Sequence, residues 1–110
     1  GFKVGNVTID STTGGSIFGS DSNRGGIHFS VTSVLPCNSS GAAVDDSIDL
    51  GSSSHRWKNL YTADLQLSNK GKTNDVDGTW GDWTLQEGED KIFMINNRTG
   101  KKYSLKMEEE

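Results

Sequence analysis

Three serines, Ser52, Ser53 and Ser54, lead directly into His55, Arg56, Trp57 and Lys58, with Leu60 and Tyr61 close behind. Hydroxyls beside an imidazole are the parts of a nucleophile-and-base pair. Cys37 is a second nucleophile type, but a reactive thiol needs a positioned base and a lowered pKa. It follows Pro36 in a polar stretch, and neither His28 nor His55 stands at an informative spacing. A semi-buried free thiol is the simpler reading. Asp75-Val76-Asp77-Gly78 has the look of a calcium-loop core. Counting from Gly78, the first ligand position falls on Thr73 and the twelfth on Thr84, and neither supplies a carboxylate. No His and Cys pair has zinc spacing, and no phosphate-loop, dinucleotide or G-x-S-x-G pattern occurs. Paired acids for glycoside hydrolysis stay open, because their separation is spatial. The expectation is a non-enzymatic chain with no catalytic residues, metal or cofactor.

Aromatic side chains are the remaining chemistry. Trp57, Tyr61, Trp80 and Trp83 can stack on sugar rings, or they can plug the core of a chain short of other large residues. Which role applies depends on the elements that hold them.

Those elements are built from little apolar material. Leu, Ile, Val and Phe make up 23 of 110 residues, about 21%, close to the roughly 20% below which disorder sets in. A single small domain of this composition is marginally stable alone, and association with copies of itself is one remedy. The net charge is −4 with scattered basic residues, which speaks against nucleic-acid or anionic-membrane binding. The one cysteine excludes an intrachain disulfide. No signal peptide or run of ~20 apolar residues is present, so no membrane insertion is expected. Three sequons, at Asn6, Asn38 and Asn97, match the chance rate of an Asn/Ser/Thr-rich chain. Gly1-Phe2-Lys3 is not a natural start, so the chain reads as a fragment.

Helical periodicity is nearly absent, and short alternations broken by turn residues point to an all-β fold of short antiparallel strands. Strands are expected over 2–9, 16–19 and 27–31, the last with Ile27, Phe29 and Val31 on one face and His28 exposed on the other. Residues 33–46 read as loop, and 47–50 as a short strand stopped by Gly51. The serines then N-cap one or two helical turns over 55–60. Alternation resumes over 61–68, and 69–81 is a long polar loop. The clearest signal is a C-terminal three-stranded meander: 83–87, 91–96 and 101–107, with turns at 88–90 and 97–100. Its middle strand, with Phe93 and Ile95 on one face and Ile92 and Met94 on the other, is apolar on both. A small monomer offers little to cover the second face, which predicts oligomerisation. The chain divides as a β-rich segment 1–48, a corner turn and strand 49–68, and the meander module 69–110.

Two stretches carry a family resemblance. Val34-Leu35-Pro36, followed by Ile48-Asp49-Leu50-Gly51-Ser52-Ser53-Ser54-His55-Arg56-Trp57-Lys58-Asn59-Leu60-Tyr61, resembles a pattern recurrent in bacteriophage tail fibres. Thr79-Trp80-Gly81-Asp82-Trp83-Thr84-Leu85-Gln86-Glu87-Gly88-Glu89-Asp90, followed by Ile95-Asn96-Asn97-Arg98-Thr99-Gly100-Lys101-Lys102-Tyr103, resembles the C-terminal module of marine tailed-phage structural proteins, cyanophages especially. The resemblance covers about residues 25–107. It implies a virion protein, made in the host cytoplasm, whose intertwined homotrimeric fibre tip acts in host attachment. Its partners would be copies of itself, other tail proteins, and a host-surface glycan or outer-membrane protein. The receptor contact would fall on Trp80, Asp82, Asn74 and Asp75, in or beside the 69–81 loop. Trimer anchors would be Trp57, Leu60, Tyr61, Trp83, Phe93, Ile95, Tyr103 and Leu105. Some phage fibres end in a self-cleaving domain using serine and lysine, and no matching motif occurs here. The competing readings are a carbohydrate-binding or depolymerase β-domain and a trimerisation cap without ligand.

The serine–histidine block thus reads as a corner between β segments, anchored by Trp57, Leu60 and Tyr61. Trp57→Ala is expected to weaken assembly or thermal stability, as read by sedimentation and melting. An unchanged assembly would contradict that role.

Overall fold

The computed structural model describes residues 25–110 and the backbone of Ile17–Gly19; the expected strand over 2–9 and the sequon at Asn6 lie outside these. The chain is all-β, with two antiparallel sheets and no helix among the described residues. It falls into two compact units, one ending at Trp57 and the other running from Lys58 to Glu110.

The first unit holds β1 (Ile17–Gly19), β2 (Gly26–Phe29) and β3 (Val34–Cys37), in that order. The expected loop after residue 33 is therefore in part a strand, and Pro36 lies inside it. The physical reason is its position on an edge. Pro36 accepts a backbone hydrogen bond from Val44 through its carbonyl, on the side away from β2. Its nitrogen faces the same way, so β2 loses no donor. Beyond β3, Asn38 Oδ1 accepts from the backbone of Ser40 and Ala42 (both 3.0 Å) and from the Ser40 hydroxyl (2.7 Å). Gly41 supplies the positive φ, 84°, of this turn. The folded-back loop covers one face of the sheet: Cys37 is 0% exposed, and Gly41 O lies 3.2 Å from His28 Nδ1.

This reverses the expected burial of β2. Register places Ile27 opposite Pro36, and Phe29 opposite Val34. These apolar residues share the more open face, while His28 is half-buried beneath the 38–43 loop. Val31 lies outside the strand, in the exposed turn closed by Ser30 N–H donating to Ser33 O. Ile48 and Leu50 border the open face, closing with Ile27, Val34 and Pro36 an apolar cleft of about 430 Å³.

Residues 47–50 form no strand and 55–60 no helical turn. The Ser52 hydroxyl does accept the His55 N–H (3.0 Å), as a cap would. Yet Ser52 N–H also donates back to His55 O, which closes an isolated loop. So short a helix, with no apolar layer against it, does not repay its nucleation cost. Gly51 has φ 83°, and the Trp57 indole packs against it. Trp57 nonetheless stays 68% exposed and Tyr61 91%, with Leu60 also open.

The second unit is a four-stranded meander, β4 (Leu65–Ser68), β5 (Asp82–Glu87), β6 (Ile92–Asn96) and β7 (Lys102–Ser104). The expected three strands are present, the last shorter, and β4 extends the sheet. Pairing aligns Leu65, Leu85, Met94 and Tyr103 across it, with Leu67 opposite Trp83. Leu105 N–H donates to Ile92 O, which continues the pairing past β7. Trp83, Tyr103 and Leu105 therefore share one face, and Phe93 and Ile95 lie on the other. Thr84, 7% exposed, is the most buried residue of this unit. Its hydroxyl bonds Gln66 Oε1 (2.6 Å), and Asn97 bridges Thr84 and Asp82. Gly100, φ 77°, makes the β6–β7 turn, as its sequence position predicts.

Gly25 marks the entry to β2. A Cβ there would strike the Cys37 carbonyl oxygen and come within 2.7 Å of Ile48 Cδ1. Gly25→Ala is expected to destabilise the first unit by about 1–3 kcal/mol, measured as a lower denaturation midpoint. An unchanged midpoint would show that the strand end can move aside.

Candidate functional site

The long connection between β4 and β5 is an ordered polar loop. Its neck is closed twice: Asn69 N–H donates to Gly81 O (3.3 Å), and Gly81 N–H donates to Asn69 Oδ1 (2.7 Å). Inside, Asn74 is the organiser. Its Oδ1 accepts from the backbone of Val76 (2.8 Å) and Asp77 (2.9 Å), and its Nδ2 donates to Asp77 Oδ1 (2.7 Å) and Thr79 O (2.8 Å). This is the local side-chain-to-backbone pattern that makes Asn favourable in turns. Asp77 Oδ1 also accepts from the Thr79 hydroxyl (2.7 Å) and the Thr79 N–H (3.1 Å). The Thr79 hydroxyl first, then Asn74, hold this carboxyl below its ordinary pKa of 3.8.

The loop leads into Trp80, whose ring carries the Arg98 guanidinium at 3.8 Å from its centre. Arg98 Nη1 also donates to Trp80 O (2.9 Å). Arg98 stands on the β6–β7 turn, where Asn96 Oδ1 holds its N–H (3.0 Å). Together these residues line a cleft of about 640 Å³ with Asn74, Asp77, Thr79, Trp83 and Thr99. It combines an aromatic wall, one guanidinium, one ionised carboxylate, amides and hydroxyls. Such a set of mixed donors and acceptors suits a hydroxyl-rich ligand. A single carboxylate lines it, whereas glycoside hydrolysis uses two.

Of the residues expected to contact a receptor, Asn74 and Trp80 meet in this cleft. Asp75 is exposed on the same loop and is not part of the lining. Asp82 is also outside it, with Oδ1 accepting from Asn97 Nδ2 (2.9 Å). Asp77, read in the sequence only as part of a calcium-loop-like stretch, and Thr79 and Arg98 are cleft residues that the expected receptor contact did not include. The spacing Asn74-x-x-Asp77-x-Thr79 is a local signal for the first two. Arg98 gives none, being 18 residues from Trp80. Among the described residues, no three His, Cys, Asp or Glu side chains gather as a metal site would need.

A second opening, about 370 Å³, is lined by Leu67, Trp83, Met94 and Tyr103 and is almost wholly apolar. Trp83 thus borders both the polar cleft and the apolar sheet face. No helix among the described residues is long and apolar enough to cross a membrane. No protein-family model matches the chain, and no curated protein or solved structure does either.

The lowered Asp77 pKa fixes a pH dependence. Because the folded value lies below the unfolded one, the carboxylate's contribution is present above about pH 4 and is lost as pH falls through the folded value. The Thr79 amide resonance is expected to hold steady at neutral pH and to shift only under more acid conditions. In Asp77→Asn that titration is expected to vanish. A Thr79 shift that persisted in the variant would assign the effect to another group.

Proposed function

We propose that this chain is the C-terminal part of a bacteriophage tail fibre: a virion structural protein that acts as a homotrimer in host attachment and is not an enzyme. The carrying observation is the shortage of interior. Among the described residues, Cys37 is the one apolar side chain that is fully buried, and both sheets keep an apolar face open. Three chains around a common axis would cover such faces and shield sheet edges. The resemblance of the 34–61 and 79–103 segments to phage fibre sequences supports the same reading. So do Trp57, Leu60 and Tyr61, which are exposed in one chain and suit contact with a neighbour.

The cleft of Asn74, Asp77, Trp80 and Arg98 supports a receptor contact, with a host-surface glycan favoured over an outer-membrane protein by its hydroxyl-matching chemistry. Other tail proteins would be partners at the remaining end of the fibre. The same cleft favours one alternative, a carbohydrate-binding β-domain, and its single carboxylate favours binding over depolymerisation.

Sedimentation at micromolar concentration is expected to give a mass of three chains, and fluorescently labelled protein to stain cells of a susceptible host. A stable monomer would overturn the trimer. A trimer that stains no host would leave the ligand-free cap.

A further inference from the structure

We propose that the cleft of Asn74, Asp77, Trp80 and Arg98 takes an uncharged sugar and selects against acidic ones, because it holds one fixed charge of each sign and the two do not pair. This rests on the glycan reading above and names the class of sugar.

Asp77 and Arg98 are the charged residues of the lining. Opposite charges that share a site gain by bonding each other. Here each is held elsewhere. Arg98 is fixed twice by Trp80: its guanidinium lies 3.8 Å from the ring centre, and Nη1 donates to the Trp80 carbonyl (2.9 Å). Asp77 is fixed from within its own loop. The Thr79 hydroxyl (2.7 Å), Asn74 Nδ2 (2.7 Å) and the Thr79 N–H (3.1 Å) all donate to Oδ1. The groups that keep this carboxylate ionised are such donors, with no cation among them. Asp77 Oδ2 bonds no described residue, and neither do Nε and Nη2 of Arg98.

The cleft thus presents a strong acceptor and a strong donor, both set in place before a ligand arrives, with no net charge. A sugar hydroxyl serves either one, since it donates its hydrogen and accepts through its lone pairs. A sugar carboxylate only accepts. It can meet Arg98, but it leaves Asp77 Oδ2 without a donor and brings a like charge into the same cleft. Trp83 adds an uncharged donor. Its indole Nε1 bonds no described residue and stands 2.9 Å from where a Cβ on Gly81 would lie, so glycine at that position admits the indole edge.

Matched sugars give the test. Methyl glucoside and methyl glucuronide differ in one group, a hydroxymethyl against a carboxylate, and so do the galactose and mannose pairs. Each is titrated into the assembled protein and followed at the Trp80 indole and Thr79 amide resonances. A neutral member is expected to bind, and its acidic counterpart to bind about threefold or more weakly. Asp77→Asn keeps an oxygen for the three loop bonds and replaces the free oxygen with an amide. The ratio of acidic to neutral affinity is expected to rise about threefold in that variant and to fall by a similar factor in Arg98→Gln. A gain of acidic-sugar binding is not a result that misfolding produces. Acidic sugars that bind as well as neutral ones, or a ratio that both variants leave alone, would overturn the charge matching while the glycan reading stands. If no sugar of any pair binds but labelled protein stains host cells, this cleft is not the contact, and attachment survives without it. If no sugar binds and no cells stain, the attachment reading falls as well.

Discussion

A sheet with one apolar face requires a second layer, and among the described residues neither sheet has another sheet or a helix packed on it. That shortage governs the rest of the structure. Burial of apolar area is the main source of folding free energy, yet Cys37 is the sole fully buried apolar residue among those described. The strands are short, five of the seven among the described residues having three or four residues. Apolar side chains are arranged as for a core, in rows across each sheet, with no opposing layer among the described residues.

Polar clamps take over part of the ordering. Asn38, Asn74 and Asn97 each fasten a turn or loop through several hydrogen bonds of their side chain. Each such bond contributes about 1 kcal/mol net, too little to replace a core but enough to select one loop conformation among many. This accounts for a 69–81 loop that is irregular and still defined. It also explains how Trp80 and Arg98 come to be stacked at a cleft without an apolar interior beneath them.

The parts legible in sequence were those set by neighbours. The hairpins around Gly88 and Gly100 could be read from alternation and turn residues, because register there follows from the turn itself. Pro36 misled, since a proline reads as a strand breaker unless the strand is known to be an edge. The serines before His55 misled in the opposite direction: they supply a cap, but a cap does not make a helix without a surface to pack on. The side of β2 that is covered depends on the 38–43 loop folding back, which no local pattern announces. The Arg98–Trp80 stack joins two turns that only strand pairing brings together, so the polar half of the cleft was visible in the Asn74 loop and the cationic half was not.

In the second sheet the spatial order of strands equals their order in the chain. Every pairing is between sequence neighbours, so loop-closure entropy is small and topology favours rapid folding. Hairpins close in microseconds, while docking of subunits takes milliseconds to minutes and slows on dilution. In the proposed assembly the sheet would therefore form well before a neighbouring chain reached it. During that interval its apolar side, with Leu67, Met94 and Tyr103, would be bare, and misassembly would compete with correct pairing.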